Sequence, residues 1–291
     1  MVNSESDFLP GLIIDRIDNK FSFQIFSAGM ELFKSDIIEF LKNKFNADYI
    51  VEKNINSLRL LEGLEEIEKV HLNNLQSDEF ISEIDGIKYS INLLKGQKTG
   101  FYLDQSASRK NIKNYISDDF KILDLFCNEG GFSLNAASIN KHNQITAVDS
   151  SEYAISKAIK NSELNNFKNI NFICSDVFDF LKSDKSFYDL IILDPPSFTK
   201  SKKNLDAAVH GYINLNSNCF TKLNKNGFLF TYSCSHHITP EIFLNIISNS
   251  AKLSGKNIQI IHYSDCSYDH PVLPQMPETK YLKEFVIRIL N

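Results

Sequence analysis

From about Lys121 to the end of the chain, short apolar runs alternate with helix-length amphipathic stretches. That alternation predicts parallel strands joined by crossover helices, as in a doubly wound α/β sheet. The runs are KILDLF (121–126), ITAVD (145–149), INFIC (170–174), DLIILD (189–194), GFLFTYSC (227–234), NIQIIHY (257–263) and KEFVIRIL (283–290). Each reads as apolar on both faces, as strands buried inside a parallel sheet do. Helices are predicted from Gly131, from Glu152 to Leu164 behind a Ser150/Ser151 cap, and near 204–223 and 240–253. The last two runs are separated only by a loop rich in His, Asp and Pro (264–280), so the final strand is expected to be antiparallel.

Residues 8–95 follow a different pattern. GLIIDRI and FSFQIFS are strand-like runs around Asp18-Asn19, MELFKSDIIEFLKNKFN (30–46) has helical spacing, and FISEI-DG-IKYSINLL reads as a hairpin turned at Asp85-Gly86. The expected organisation is a small α+β domain over residues 1–95, followed by the sheet domain over 96–291. The stretch 94–116 joins them and gathers Lys95, Lys98, Arg109, Lys110 and Lys113.

Composition adds bounds to this outline. The 291 residues, 43% of them hydrophobic, suffice for about two domains with real cores. A net charge of −5 by itself argues against a polyanionic partner. Yet residues 52–85 hold nine acidic side chains against Lys53, Arg59 and Lys69, an excess that outweighs the whole net charge, so the rest of the chain is close to neutral. The five cysteines form no CxxC pair and no Cys/His cluster with zinc spacing, so reduced thiols and no metal are expected. The opening MVNSESDFLPG has no basic and apolar leader pattern, and no stretch approaches the ~18 apolar residues of a membrane span. The chain therefore reads as soluble and cytoplasmic, without a membrane partner and as a monomer or homodimer.

Candidate chemistry lies at the strand ends, where doubly wound sheets bind ligands. Asp124 sits in the first run, Asp149 closes the second, and Asp176 follows the third. Phe126-Cys127-Asn128-Glu129-Gly130-Gly131 makes a glycine turn into a helix but lacks GxGxxG, and Glu129 stands where a dinucleotide pyrophosphate would lie. A cationic cofactor free of phosphate suits such an acidic turn, and S-adenosylmethionine is one. Asp149 can accept from its ribose hydroxyls and Asp176 from its adenine amino group. A nicotinamide-dependent oxidoreductase fits least.

The fourth run ends Asp194-Pro195-Pro196-Ser197-Phe198, whose prolines hold an extended loop and fix the Asp194 carboxylate beside the cofactor. The fifth ends Tyr232-Ser233-Cys234-Ser235-His236-His237. C5 of a pyrimidine is not nucleophilic until a thiolate adds to C6, and Cys234 is placed for that addition. A free cysteine more often fills space in a strand, which is the better reading for Cys127, Cys174, Cys219 and Cys266. For His236 and His237, catalysis and helix capping stay open. Lys200, Lys202 and Lys203 follow the DPPSF loop and, with the 95–113 cluster, can contact phosphates.

Seven motifs in this order, LPGLIIDR (9–16), KTGFYLDQ (98–105), ILDLFCNEGGFSLNAA (122–137), DPPSFTKSKKN (194–204), GY (211–212), YSCSHH (232–237) and DHPVLPQMPETKYLK (269–283), resemble the bacterial S-adenosylmethionine-dependent 23S ribosomal RNA cytosine-C5 methyltransferases of the large-subunit type. The resemblance runs along nearly the whole chain. It implies a Rossmann-like class I methyltransferase with a seven-stranded mixed sheet, and Cys234 as nucleophile with Asp194 beside it. It also implies an RNA partner, 23S RNA or a large-subunit assembly intermediate. The cofactor set read from these positions is Gln105, Asp124, Phe126, Asn128, Gly130, Gly131, Asp149, Ser150, Asp176, Val177, Asp194 and Pro195. The RNA set is Arg109, Lys200, Lys202 and Lys203. The pattern departs from the family in three places. An N-terminal PUA domain usual in the family is expected to be missing, and Ser106 and His210 stand where Arg is usual. A guanine-N7 methyltransferase of the same fold, or a non-catalytic RNA-binding assembly factor, are the alternatives; Cys234 discriminates against the first.

Overall fold

The computed structural model describes residues 1–96, 100–199 and 202–291. They fall into two units, Met1–Ser106 with Ser267–Thr279, and Ala107–Cys266 with Lys280–Asn291.

In the first unit, β1 (Val2–Asn3), β2 (Leu12–Ile17), β3 (Lys20–Ile25), β4 (Tyr49–Asn54) and β5 (Ile67–Asn73) form one sheet in that order. The short helix α1 (Ala28–Glu31) and α2 (Lys34–Phe45) provide the crossover that leaves β3 and β4 parallel. A short α3 (Leu58–Leu61) precedes β5, and β6 (Glu79–Ile84) with β7 (Ile87–Asn92) form a separate hairpin. Asp85 and Gly86 turn that hairpin with φ of +56° and +81°, the left-handed pair that matches strand twist in a two-residue loop. Phe21, Phe23, Ile25, Leu41 and Ile50 build the core. The acidic segment is not a uniformly solvated patch: Glu52 is 1% exposed and accepts from Lys34 Nζ at 2.7 Å, with His71 Nε2 at 2.6 Å.

The second unit opens with α4 (Ser106–Asn111), whose first residue closes the first unit. It continues through β8 (Lys121–Leu125), α5 (Gly131–Ala137), β9 (Gln144–Asp149), α6 (Glu152–Leu164), β10 (Ile170–Cys174), α7 (Val177–Ser183), β11 (Tyr188–Leu193), α8 (Leu205–Lys222), β12 (Leu223–Ser233), α9 (Pro240–Ser254), β13 (Ile258–Ser264) and β14 (Lys283–Ile289). The sheet order is β10-β9-β8-β11-β12-β14-β13. The first five strands are parallel, while β14 pairs antiparallel with both β12 and β13, as the missing crossover helix predicts. Strand order reverses between β8 and β11, which makes the carboxyl ends there the ligand-binding edge.

Two expectations need correction. The outer strands β10 and β13 are not apolar-buried on both faces; as sheet edges they show partly or fully exposed positions throughout. The first unit does not end at residue 95. It runs to Ser106 and takes back Ser267–Thr279, because the Ser267 amide and hydroxyl both donate to the Asp104 carbonyl at 2.9 Å. Among the described residues, no helix is long and apolar enough to cross a membrane and no Cys/His/carboxylate group could hold a metal.

Candidate active site

The turn after β8 is built from left-handed residues. Phe126, Asn128 and Gly130 have φ of +63°, +48° and +85°, a conformation that L side chains seldom adopt and that persists only where neighbours enforce it. The enforcing bonds are local and mutual. Cys127 N donates to the Val148 carbonyl at 3.0 Å, Gly130 N to the Cys127 carbonyl at 2.9 Å, and Asn161 Nδ2 to the Glu129 carbonyl at 3.1 Å. A Cβ on Gly130 would also lie 3.3 Å from Ala158 Cβ, so the glycine lets the turn approach α6.

Asp149, at the end of β9, accepts from Asn128 N at 3.0 Å and Ser151 N at 2.9 Å, one on each oxygen. It thereby ties the β8 turn to the cap of α6, where Ser151 Oγ accepts from Ala154 N. Ser150 beside it is exposed. Asp176 caps α7: its Oδ1 accepts from Phe178 N at 2.8 Å and Asp179 N at 3.1 Å, and the residue is exposed. Val177 is core.

Asp124 differs from both. It is fully buried, and its Oδ2 accepts from Ser133 N at 2.9 Å and Ser133 Oγ at 2.5 Å. Its Oδ1 is also buried and finds no partner. Burial pushes its carboxyl up to about 7; the Ser133 bonds pull against that, while Asp194 and Asp149 add to it by repulsion. Three carboxylates within electrostatic reach, one holding an orphaned oxygen, are a local excess of negative charge that a cationic ligand would relieve.

At the other side of the strand-order switch, the edge is made of hydroxyls, a thiol and an ammonium. Asp194 follows β11 with its amide directed at the Leu125 carbonyl, 3.4 Å away, and Pro195 behind it is buried. Ser197 Oγ lies 3.0 Å from Ser235 Oγ, and Tyr212 Oη lies 3.2 Å from Ser235 Oγ and accepts from Ser233 Oγ at 3.1 Å. Tyr212 thus ties the residues on both sides of Cys234, and its own phenol is pushed up to about 12, chiefly by burial. Gly211 makes this possible, since a Cβ there would stand 3.3 Å from the Phe198 ring that packs on Tyr212 with centroids 4.8 Å apart. Cys234 is half-buried, whereas Cys127 and Cys219 are buried with thiols pushed up by desolvation. Lys283, opposite Ser233 across the β12–β14 ladder, is 1% exposed and donates to the Ser235 carbonyl at 2.8 Å. The sequence reading passed over Tyr212, Ser235 and Lys283 individually; the motif positions GY, YSCSHH and YLK were the available signal.

Other expected residues fall elsewhere. Gln105 is buried within the first unit. Arg109 does not face solvent as an RNA contact would: it is 2% exposed, and its Cδ lies 3.4 Å from where a Gly131 Cβ would project. The missing Cβ at Gly131 gives the Arg109 stem its room, so this arginine belongs to the packing behind the turn. Lys200 lies outside the described residues, as does the side chain of Lys202, while Lys203 is exposed. His236 and His210 are exposed, and Ser106 donates to Asp85 Oδ2 at 2.7 Å.

Comparison with known proteins fits this geometry. A family model described as a methyltransferase domain matches residues 116–269. Ribosomal RNA large subunit methyltransferase I of Vibrio vulnificus is 35% identical over 297 residues, spanning 100% of this chain and 74% of that one. The protein of the same name from Klebsiella pneumoniae is 35% identical over 295 residues, spanning 100% and 73%. Among solved structures, a protein described as a putative SAM-dependent methyltransferase from Streptococcus mutans superposes with a TM-score of 0.82 at 23% identity, covering 98% of this chain and 73% of that chain. Trm5b from Pyrococcus abyssi superposes at 0.70 with 16% identity, covering 96% and 75%. The fold is thus that of the S-adenosylmethionine-dependent methyltransferases, and by its full-length identity the chain belongs to the ribosomal RNA large subunit methyltransferase I family.

Proposed function

We propose that this protein transfers a methyl group from S-adenosylmethionine to C5 of a cytosine in large-subunit (23S) ribosomal RNA, with Cys234 as the nucleophile. The observation that carries the reading is a half-buried thiol at the carboxyl end of β12, held between two serines that one buried tyrosine fixes, next to the acidic edge where the strand order reverses.

The acidic edge fits the cofactor. Asp149 would hold the ribose hydroxyls and Asp176 the adenine amino group, each through lone pairs not engaged by the backbone amides. The rigid turn at Phe126, Asn128, Gly130 and Gly131 would pack against the cofactor. Its glycines let that turn close on α6 and on the Arg109 stem, which holds its shape. The orphaned Asp124 oxygen and the neighbouring Asp194 suit a positive charge and not a pyrophosphate. When bound, S-adenosylmethionine supplies an electrophilic methyl group carried on a sulfonium.

The chain's own chemistry begins at Cys234. Its thiolate adds to C6 of the cytosine, forming an S–C6 bond and moving the C5–C6 π pair to C5, which becomes nucleophilic. C5 takes the methyl group, the bonding pair staying with S-adenosylhomocysteine; a general base then accepts the C5 proton, and the freed pair restores the C5–C6 double bond and expels the Cys234 thiolate. Asp194, on its proline-held loop, presents a carboxylate to the polar edge of the base and orients it. The base must be single-stranded or turned out of its stack to reach this edge. Lys203, exposed after the DPPSF loop, would meet a phosphate of the RNA.

Purified protein, labelled S-adenosylmethionine and 23S RNA test this directly. C234A is expected to lower transfer by at least about 10³-fold, as removal of a covalent nucleophile does, while S-adenosylhomocysteine still raises the melting temperature. Undiminished transfer by C234A would sink the C5 mechanism. Bisulfite mapping of 23S RNA from cells with and without the gene locates the base.

A further inference from the structure

Lys283 is a charged side chain in a place that does not favour charge. It is 1% exposed, its ammonium has one neutral hydrogen bond, to the Ser235 carbonyl at 2.8 Å, and no carboxylate pairs with it among the described ion pairs. An ammonium taken from water without an anion is strongly disfavoured. Burial brings its acidity to about 8, and the only groups acting in the opposite direction are the sulfurs of Cys234 and Cys266.

Among the described residues, the charged and titratable groups around it are few. Glu284, next along β14, points to the other face of the strand. Its carboxylate is occupied there by Ser108 Oγ, by Ser264 Oγ at 2.7 Å and by Asn111 Nδ2 at 3.4 Å. Asp194 lies within electrostatic reach of Tyr212 and Tyr232, and Tyr212 spends its hydroxyl on Ser233 and Ser235. His236 is exposed, with its ring 6.0 Å from that of Tyr281, and His237 follows it, partly exposed.

We infer that Lys283 is the counter-charge that keeps Cys234 available as a thiolate, a positioning residue that acts through the sulfur and does not itself handle the base. The inference rests on the reading of Cys234 as nucleophile. Its anchor on the Ser235 carbonyl, one residue past the thiol, holds the ammonium at a fixed place relative to Cys234. Addition to C6 turns the sulfur into a neutral thioether, so the pairing acts on the free enzyme and is spent when the adduct forms; expulsion of the thiolate restores it.

The test is the pH dependence of Cys234 alkylation by iodoacetamide between pH 6 and 10, followed on the Cys234 peptide by mass spectrometry, without RNA. In K283M, the apparent thiol pKa is expected to rise by at least one unit, giving about tenfold slower alkylation at pH 7; K283R is expected to recover most of the native rate. An identical pH profile in K283M and the native protein overturns the inference. If K283M does not fold, the native protein supplies the reciprocal reading. Blocking Cys234 must lower the pKa of Lys283, seen in its side-chain ¹³Cε shift, and an unmoved titration overturns the inference. Failure is separable from failure of the C5 mechanism. Loss of transfer in C234A with an unshifted K283M profile removes only Lys283, whereas transfer that survives C234A removes the mechanism and leaves the ion pair measurable.

Discussion

The two sides of the strand-order switch solve different problems with different materials. The β8 and β9 side is a backbone structure: a turn of left-handed residues, pinned by amides to carbonyls and to Asp149. The carboxylates of Asp124 and Asp149 belong to it, with the buried Arg109 beside Gly131. The β11 and β12 side is a side-chain structure, in which Ser197, Tyr212, Ser233, Ser235 and Lys283 converge on Cys234 from four separate stretches of chain. A ligand that only has to be held can be met by rigid backbone and fixed charge. A reacting atom needs its acidity and direction set, and that takes side chains whose own positions are determined by others.

If the anionic side is organised for a bound cation, it should be strained without one. Asp124 is the sharpest probe. Its folded pKa, about 7, lies above the ordinary aspartate value, so the folded state binds its proton more tightly than the unfolded chain does. The stability this proton contributes is complete below about pH 4 and is lost as pH rises through 7. D124N keeps an acceptor for Ser133 and removes the ionisation. The ligand-free variant should match the native protein below about pH 4, begin to exceed it as pH rises through 5, and exceed it at pH 8 by on the order of 4 kcal/mol, with weaker binding of S-adenosylmethionine. Thermal or urea unfolding across that range checks it; parallel curves would show that Asp124 is not a charged liability.

Asp149 should behave in the opposite way. Its bonds to Asn128 N and Ser151 N are satisfied in the free protein, so D149A gives up turn geometry and the proposed ribose acceptors together. Hydrogen bonds to a charged group contribute about 1.5–3 kcal/mol, which predicts cofactor binding weaker by roughly 10- to 100-fold, with stability lowered and not raised. Isothermal titration with S-adenosylhomocysteine measures the first and thermal unfolding the second. A D149A protein that binds normally would assign the aspartate to the turn alone.

The same contrast governs what could be read from sequence. Buried parallel strands announce themselves as short apolar runs, and the missing helix between the sixth and seventh runs was enough to turn β14 around. The glycine turn is local, so its residues sit side by side in the chain. In the first unit, β4 carries no mark because YIVEKN buries all six positions, Glu52 and Lys53 included, and no alternation sets it apart. What buries Glu52 is Lys34 and His71, distant in sequence. The burial of Arg109 was hidden for the same reason: a cation among lysines reads as surface, while in the structure its stem is enclosed beside Gly131. Tyr212 and Lys283 act across a helix and an antiparallel ladder, so neither carries a local mark beyond its motif.

Tyr212 gives the smallest effect and the finest discrimination. Its ring is core, packed on Phe198 and Phe243, and Y212F leaves that packing in place while deleting one hydroxyl. Ser233 and Ser235 then lose a shared partner, although Ser235 keeps Ser197. The stability cost should be about 1 kcal/mol, the usual contribution of such a bond. Among the described residues, none on the β8 side bonds to this hydroxyl, so cofactor affinity should be unchanged. The serines flank the thiol, however, and looser serines leave Cys234 less well aimed, so kcat should fall several-fold at saturating cofactor with little change in the KM for it. A fall in cofactor affinity with kcat intact would mean that the two sides of the switch are mechanically one, and that the division drawn between held ligand and aimed thiol is wrong.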